Sequence, residues 1–232
     1  MRKLGMSMVL IFGVLLLMSG MVLAVNGAET VTNEGSSTAA SGVADSTTAI
    51  AGNVTELTIF GKSTTQTWTG YFGNVSGSIE LANSAGNVMY NWSTASPSGE
   101  VLASTDSNVD WTNIVCASLA NIATLETTFN VGASAVDGVE ETFSGIYPTL
   151  TLASQTLNNC NSTDLFDEQG AASTDFKEVL LWDGDAAVFA SILNQDVLGF
   201  DNKQHDFEML VLEDGHNGDT STTDYYFYVE LE

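Results

Sequence analysis

FKEVLLWDGDAAVFASIL, residues 176–193, consists of two apolar runs divided by Asp183-Gly184-Asp185. Phe176 to Trp182 and Ala187 to Leu193 have the length and β-branched or aromatic content of strands, and an Asp-Gly pair between such runs specifies a tight hairpin turn. The same signal recurs on either side. Phe207 to Leu212 is apolar on both faces, which predicts a central strand. Tyr225 to Leu231 is an aromatic strand that a folded sheet has to pair and not leave as a free edge. Towards the N-terminus, Val54 to Phe60 and Thr67 to Phe72 alternate, and Ser78 to Leu81 meets Val88 to Trp92 across Ala82–Asn87 in a hairpin-like connection. Leu119, Ile122, Leu125 and Phe129 recur at three- and four-residue spacing and predict one short amphipathic helix. Short strands joined by short turns, with a single helix, predict a mostly β, antiparallel β-sandwich over residues 53–232.

Ahead of that domain the sequence changes character twice. Met1-Arg2-Lys3 is followed by an uncharged apolar run from Leu4 to Val25, the pattern of an export signal. The run is long enough to span a bilayer, and Val22-Leu23-Ala24 also offers small side chains at a cleavage site. Residues 1–25 are therefore either a cleaved signal peptide or a retained signal-anchor, the only part expected to touch a membrane. Residues 26–52 are small, polar and Ser/Thr-rich, too poor in apolar surface to order themselves, and predict a disordered tether.

Charge excludes whole classes of partner. Residues 25–232 hold three basic side chains, Lys62, Lys177 and Lys203, against 29 Asp and Glu, a net charge of −26, and no arginine. Nucleic acid binding needs Lys or Arg to neutralise phosphates, so nucleic acid is not an expected partner. Cations are the natural counterpart of such a surface, and the same carboxylates also serve simply to solvate an extracellular protein. Cys116 and Cys160 form an even pair in an exported chain, which predicts a disulfide.

Candidate site residues fall into three sets. Asn53, Asn74, Asn91 and Asn161 each begin an Asn-X-Ser/Thr sequon, accessible to glycosylation outside the cell, though Asn also serves turn chemistry. Asp183, Asp185, Glu213, Asp214 and Asp219 sit in Asp/Asn/Gly turns of the kind that supply calcium ligands, without the spacing of a helix-loop-helix calcium loop. Solvated turns account for the same acids. Trp68, Tyr71 and Trp92 are candidates for a sugar-stacking platform, and aromatics at strand spacing are as readily core. His205 and His216 would lie about 36 Å apart along a straight strand and could share one site only if that strand bends. No Gly-X-Ser-X-Gly elbow, zincin helix or phosphate-cradling glycine loop is present. No catalytic residue is assigned.

The segments TWTGYFGNVSGSIELANSAGNVMYNW, DFKEVLLWDGD, GFDNKQHDFEMLVLEDGH and DYYFYVELE resemble a group of acidic exported proteins of small-genome archaea. The resemblance spans about residues 54–232 and both cysteines. It implies a cell-surface or extracellular setting, and it assigns no activity, cofactor or ligand. The expectation is a non-enzymatic envelope, adhesion or filament-subunit role, with glycans, envelope proteins or further copies as partners. The alternatives are a carbohydrate- or calcium-binding module and an extracellular hydrolase built on an Asp/Glu pair.

Overall fold

The computed structural model describes residues 25–93, 97–132, 134–213 and 222–231. The leader to residue 24, and Asp214, His216 and Asp219, lie outside the described residues. The N-terminal part contains β1 (Asn26–Gly27), β2 (Trp68–Gly73), β3 (Ser78–Ala82) and β4 (Val88–Ser93). Next come β5 (Gly99–Ser104), β6 (Val115–Cys116), α1 (Leu119–Thr128) and α2 (Val139–Thr142). The C-terminal part holds β7 (Gly145–Leu152), β8 (Gln155–Phe166), β9 (Ala172–Trp182) and β10 (Ala187–Ile192). It closes with β11 (Val197–Leu198), β12 (Gln204–His205), β13 (Phe207–Leu212) and β14 (Tyr226–Leu231). The protein is mostly β and antiparallel. Among the described residues, no helix is long and apolar enough to cross a membrane.

Strands β1-β14-β5-β10-β9-β8-β7 form one antiparallel sheet in that order, with β6 paired to β9. At its centre is the predicted hairpin: Ala187 opposes Trp182 and Phe189 opposes Leu180. Its turn is fixed by the Asp183 carboxylate, which accepts from the backbone N–H of Asp185 at 2.9 Å and of Ala186 at 2.7 Å. Gly184 between them has φ +115, a conformation open to glycine and strained for other residues. The C-terminal aromatic strand pairs within its own chain, Phe227 opposite Ala103 of β5.

Both faces of the central strands are covered, so alternate side chains enter two cores. On one side Val101, Ala103, Leu180, Ala187 and Phe189 pack with Met209, Val211 and Leu212 of β13 and with Ile122 and Leu125 of α1. That helix begins where expected: Ser118 accepts from the Asn121 N–H and the Asn121 side chain accepts from the Ser118 N–H, which satisfies two otherwise orphaned donors. On the other side Leu102, Val179, Leu181 and Val188 pack with Leu150, Leu152 and Leu157 of β7 and β8. The sheet therefore curls towards itself. Glu230 of β14 accepts from the Ala153 N–H in the β7–β8 turn at 2.8 Å. Cys116 and Cys160 form a disulfide with Cα atoms 4.9 Å apart, tying β6 to β8.

Three expectations need correction. Val54 to Phe60 is not a strand, and Ile59 and Phe60 are more than four-fifths exposed. Alternation expresses a preference for a half-buried pleated surface, and among the described residues no strand pairs with this segment. Phe207 to Leu212 is not laterally central. Among the described residues β13 pairs with β2 alone, and its burial there comes from stacking on the large sheet. The tether predicted over 26–52 starts on the body, with Asn26 opposite Val229 and Gly27 opposite Tyr228, and the stretch without helix or strand runs from 28 to 67.

Candidate functional site

The aromatic residues nominated as a platform are not brought together. Trp68 faces the first core, against Phe143 and Phe189 at 6.0 and 6.5 Å between ring centres, and its indole N–H donates to the Asp137 carbonyl at 2.7 Å. Tyr71 lies edge-on to Phe227 at 5.3 Å; burial, and then the charge of Glu213, push its hydroxyl pKa up. Trp92 alone stands well into solvent, half exposed and 4.7 Å from Tyr90.

Of the nominated calcium ligands, Asp183, Asp185 and Glu213 lie among the described residues, where they form no cluster of three. Asp183 is buried with its carboxylate held by its own turn, and Glu213 accepts from the Thr223 N–H at 3.2 Å. Asp185 is exposed, while Asp214 and Asp219 lie outside the described residues. Among the described residues, no three His, Cys, Asp or Glu converge as a metal site. Of the sequon asparagines, Asn53, Asn74 and Asn91 are exposed. Asn161 is half-buried in β8 and donates its side-chain amide to the Ala117 carbonyl at 3.2 Å.

Sequence reasoning missed a set of buried carboxylates that bind backbone N–H groups. Glu178 is fully buried and accepts from Leu210 of β13 at 2.8 Å, and burial holds its carboxyl well above the usual range despite that bond. Glu208 accepts from Phe200 at 3.0 Å and is likewise raised, by burial first. Asp206 accepts from Val75 at 2.7 Å and from Asp196 at 3.0 Å. Beside them, Asp201 accepts from His205 at 2.8 Å and from Lys203 at 3.1 Å. Desolvation, which raises its carboxyl, is outweighed by these bonds, and the pKa sits at about 2. Glu178, Glu208 and Asp206 tie neighbouring backbone segments together through their N–H groups, while Asp201 braces its own loop. The signal was present in the alternation: Glu178 shares its face with Leu180, two residues on.

A different surface stands out. β3 and β4 pair only with each other among the described residues, and every residue of both is exposed. The ribbon is shaped by its loop, where the Asn83 side chain accepts from the N–H groups of Ala85 and Asn87. Ile79 opposes Trp92 and Leu81 opposes Tyr90, so these four share one face. Glu80 and Asn91 oppose each other on the other face, joined by an amide-to-carboxylate hydrogen bond of 2.7 Å. The four apolar side chains are between 42% and 59% exposed. An isolated two-stranded ribbon is marginal in water, and contiguous exposed apolar surface marks a contact site. Such a face can bury apolar or aromatic surface of a partner, and its polar groups are the Tyr90 hydroxyl and the Trp92 indole N–H.

No family model, curated protein or solved structure matches the chain.

Proposed function

We propose that this is an exported, non-enzymatic surface protein that works by contact, through the apolar face of the β3–β4 ribbon. The large sheet with the β2–β13 pair stacked on it reads as a β-sandwich that presents this ribbon. The single observation behind the reading is that Ile79, Leu81, Tyr90 and Trp92 form one continuous face left in water. Export is supported by the sequence of the leader and by the disulfide, since such bonds persist in oxidising compartments. A non-enzymatic role is supported by the buried carboxylates, several of which serve as acceptors for backbone N–H groups.

A second reading, stacking of a glycan ring on Trp92, draws support from the exposure of that indole beside Tyr90. The Tyr90 hydroxyl and the Trp92 indole N–H are the polar groups of this face beside Ile79 and Leu81, an aromatic-rich composition that suits the core of a protein interface.

One variant separates the readings. Trp92→Lys is expected to weaken retention of the protein on the cell envelope roughly thirtyfold, the effect of losing a contact hot spot, with the thermal midpoint unchanged. Unchanged retention would contradict the contact reading. A tryptophan fluorescence change on adding envelope oligosaccharides, lost in this variant, would favour the glycan instead.

A further inference from the structure

A strand suited to the ribbon's open edge exists in the same sequence. Residues 54–60, VTELTIF, have strand alternation, no proline and no place in any sheet. Val54, Ile59 and Phe60 are 102%, 85% and 82% exposed, an unusual condition for three large apolar side chains within seven residues. Extended, seven residues reach about 23 Å, enough to cover the five residues of β3 or the six of β4. In that conformation Leu57 and Ile59 fall on one face with Thr55, and Glu56 and Thr58 fall on the other, flanked by Val54 and Phe60. Laid against the ribbon, the first pair extends the face of Ile79, Leu81, Tyr90 and Trp92. The second pair joins the polar face of Glu80 and Asn91.

The positions of the two elements bear on how copies would be joined. The segment meets the body at the Trp68 end of β2, where the Thr65 hydroxyl donates to Asp137 at 2.6 Å and the Thr67 carbonyl accepts from Glu213 at 2.8 Å. The ribbon leaves from the Gly73 end, where Gly77 lies against Leu231, itself opposite Gly99. Donor and acceptor thus sit at opposite ends of β2, so a strand passed from copy to copy joins them head to tail and leaves a free donor and a free acceptor at the two ends of an open chain.

We propose that residues 54–60 of one copy add as a third strand to an edge of the β3–β4 ribbon of a second copy, linking copies into a chain. This rests on the contact reading of the ribbon and names its partner. Main-chain hydrogen bonds along the edge supply affinity, and alternate side chains seated on the apolar face supply register and selectivity. Both copies are strongly anionic, so association strengthens as salt screens their repulsion.

The test is sedimentation of the full chain over a range of concentrations at about 0.15 M salt. Ile59→Pro disables the donor, because proline lacks the N–H and the position is exposed. Ile79→Lys disables the acceptor, on a ribbon whose residues are all exposed, and an unchanged thermal midpoint shows that the body still folds. The wild type is expected to form oligomers that lengthen with concentration, and each variant alone to stay monomeric. An equimolar mixture of the two variants is expected to stop at dimers, since it contains one working donor and one working acceptor. A wild type that remains monomeric throughout overturns the proposal. If Ile59→Pro assembles like the wild type while Ile79→Lys does not, the donor strand is wrong and the ribbon contact stands. If both variants assemble like the wild type, the ribbon reading falls as well.

Discussion

Glu178 is a carboxyl group in an apolar core, and its protonation is coupled to folding. Burial lifts its pKa in the folded state well above that of the unfolded chain. Below the ordinary carboxylate range both states hold the proton. As pH rises from about 4.5, the unfolded chain loses its proton first, so stability falls progressively until the folded pKa is reached. Glu178→Gln removes that titration and keeps an oxygen for the Leu210 N–H. The expected result is a urea midpoint that drops less between pH 4.5 and 7.5 than in the wild type; an identical drop would show that Glu178 is not the coupled group. Repulsion among the remaining acids lowers stability in the same direction, which is why the difference between the two proteins is the quantity to read. Residue-scale roles of this kind were only partly legible beforehand. The alternation put Glu178 beside Leu180, but nothing in the sequence said that β13 would lay the Leu210 N–H over it.

At the scale of elements, local rules served well where the signal and the partner lie close in sequence. The Asp183-Gly184 turn, the Ala82–Asn87 connection and the helix after Cys116 all formed, with Ile122 and Leu125 buried as their spacing required. Phe207 to Leu212 and Val54 to Phe60 misled because a strand's sequence describes its own faces and not what will neighbour its edges. The disulfide is the strongest single restraint between elements. It closes a loop across 44 positions of sequence and fixes β6, the helix start and β8 around the edge of β9. In the chain-entropy account such a loop contributes about 4 kcal/mol. Replacing both Cys116 and Cys160 by alanine is expected to cost about that much in urea unfolding, less any repacking of the buried Cys160 site. A loss under about 1 kcal/mol would show that the core alone holds these strands in register.

The described residues combine a large covered sheet, a long exposed N-terminal stretch and a ribbon that shares no sheet with the body. Its charge of −26 over residues 25–232 keeps free copies apart, while the apolar contacts that would join them are concentrated in two short segments at opposite ends of β2. The class of fold and the covalent link were legible from the chain because both rest on pattern and count. The candidate site was legible only in part. Trp92 was singled out as a glycan platform with Trp68 and Tyr71, and folding packed Trp68, partly buried, against the core and left Trp92 beside Tyr90. What separated them is tertiary packing, which no periodicity encodes. Amide hydrogen exchange of Val88–Ser93 in dilute and in concentrated protein bears most directly on the central claim, that this ribbon is the contact surface. The account predicts fast exchange in dilute solution and protection that grows with concentration. Exchange of these amides at the same rate in both would contradict it.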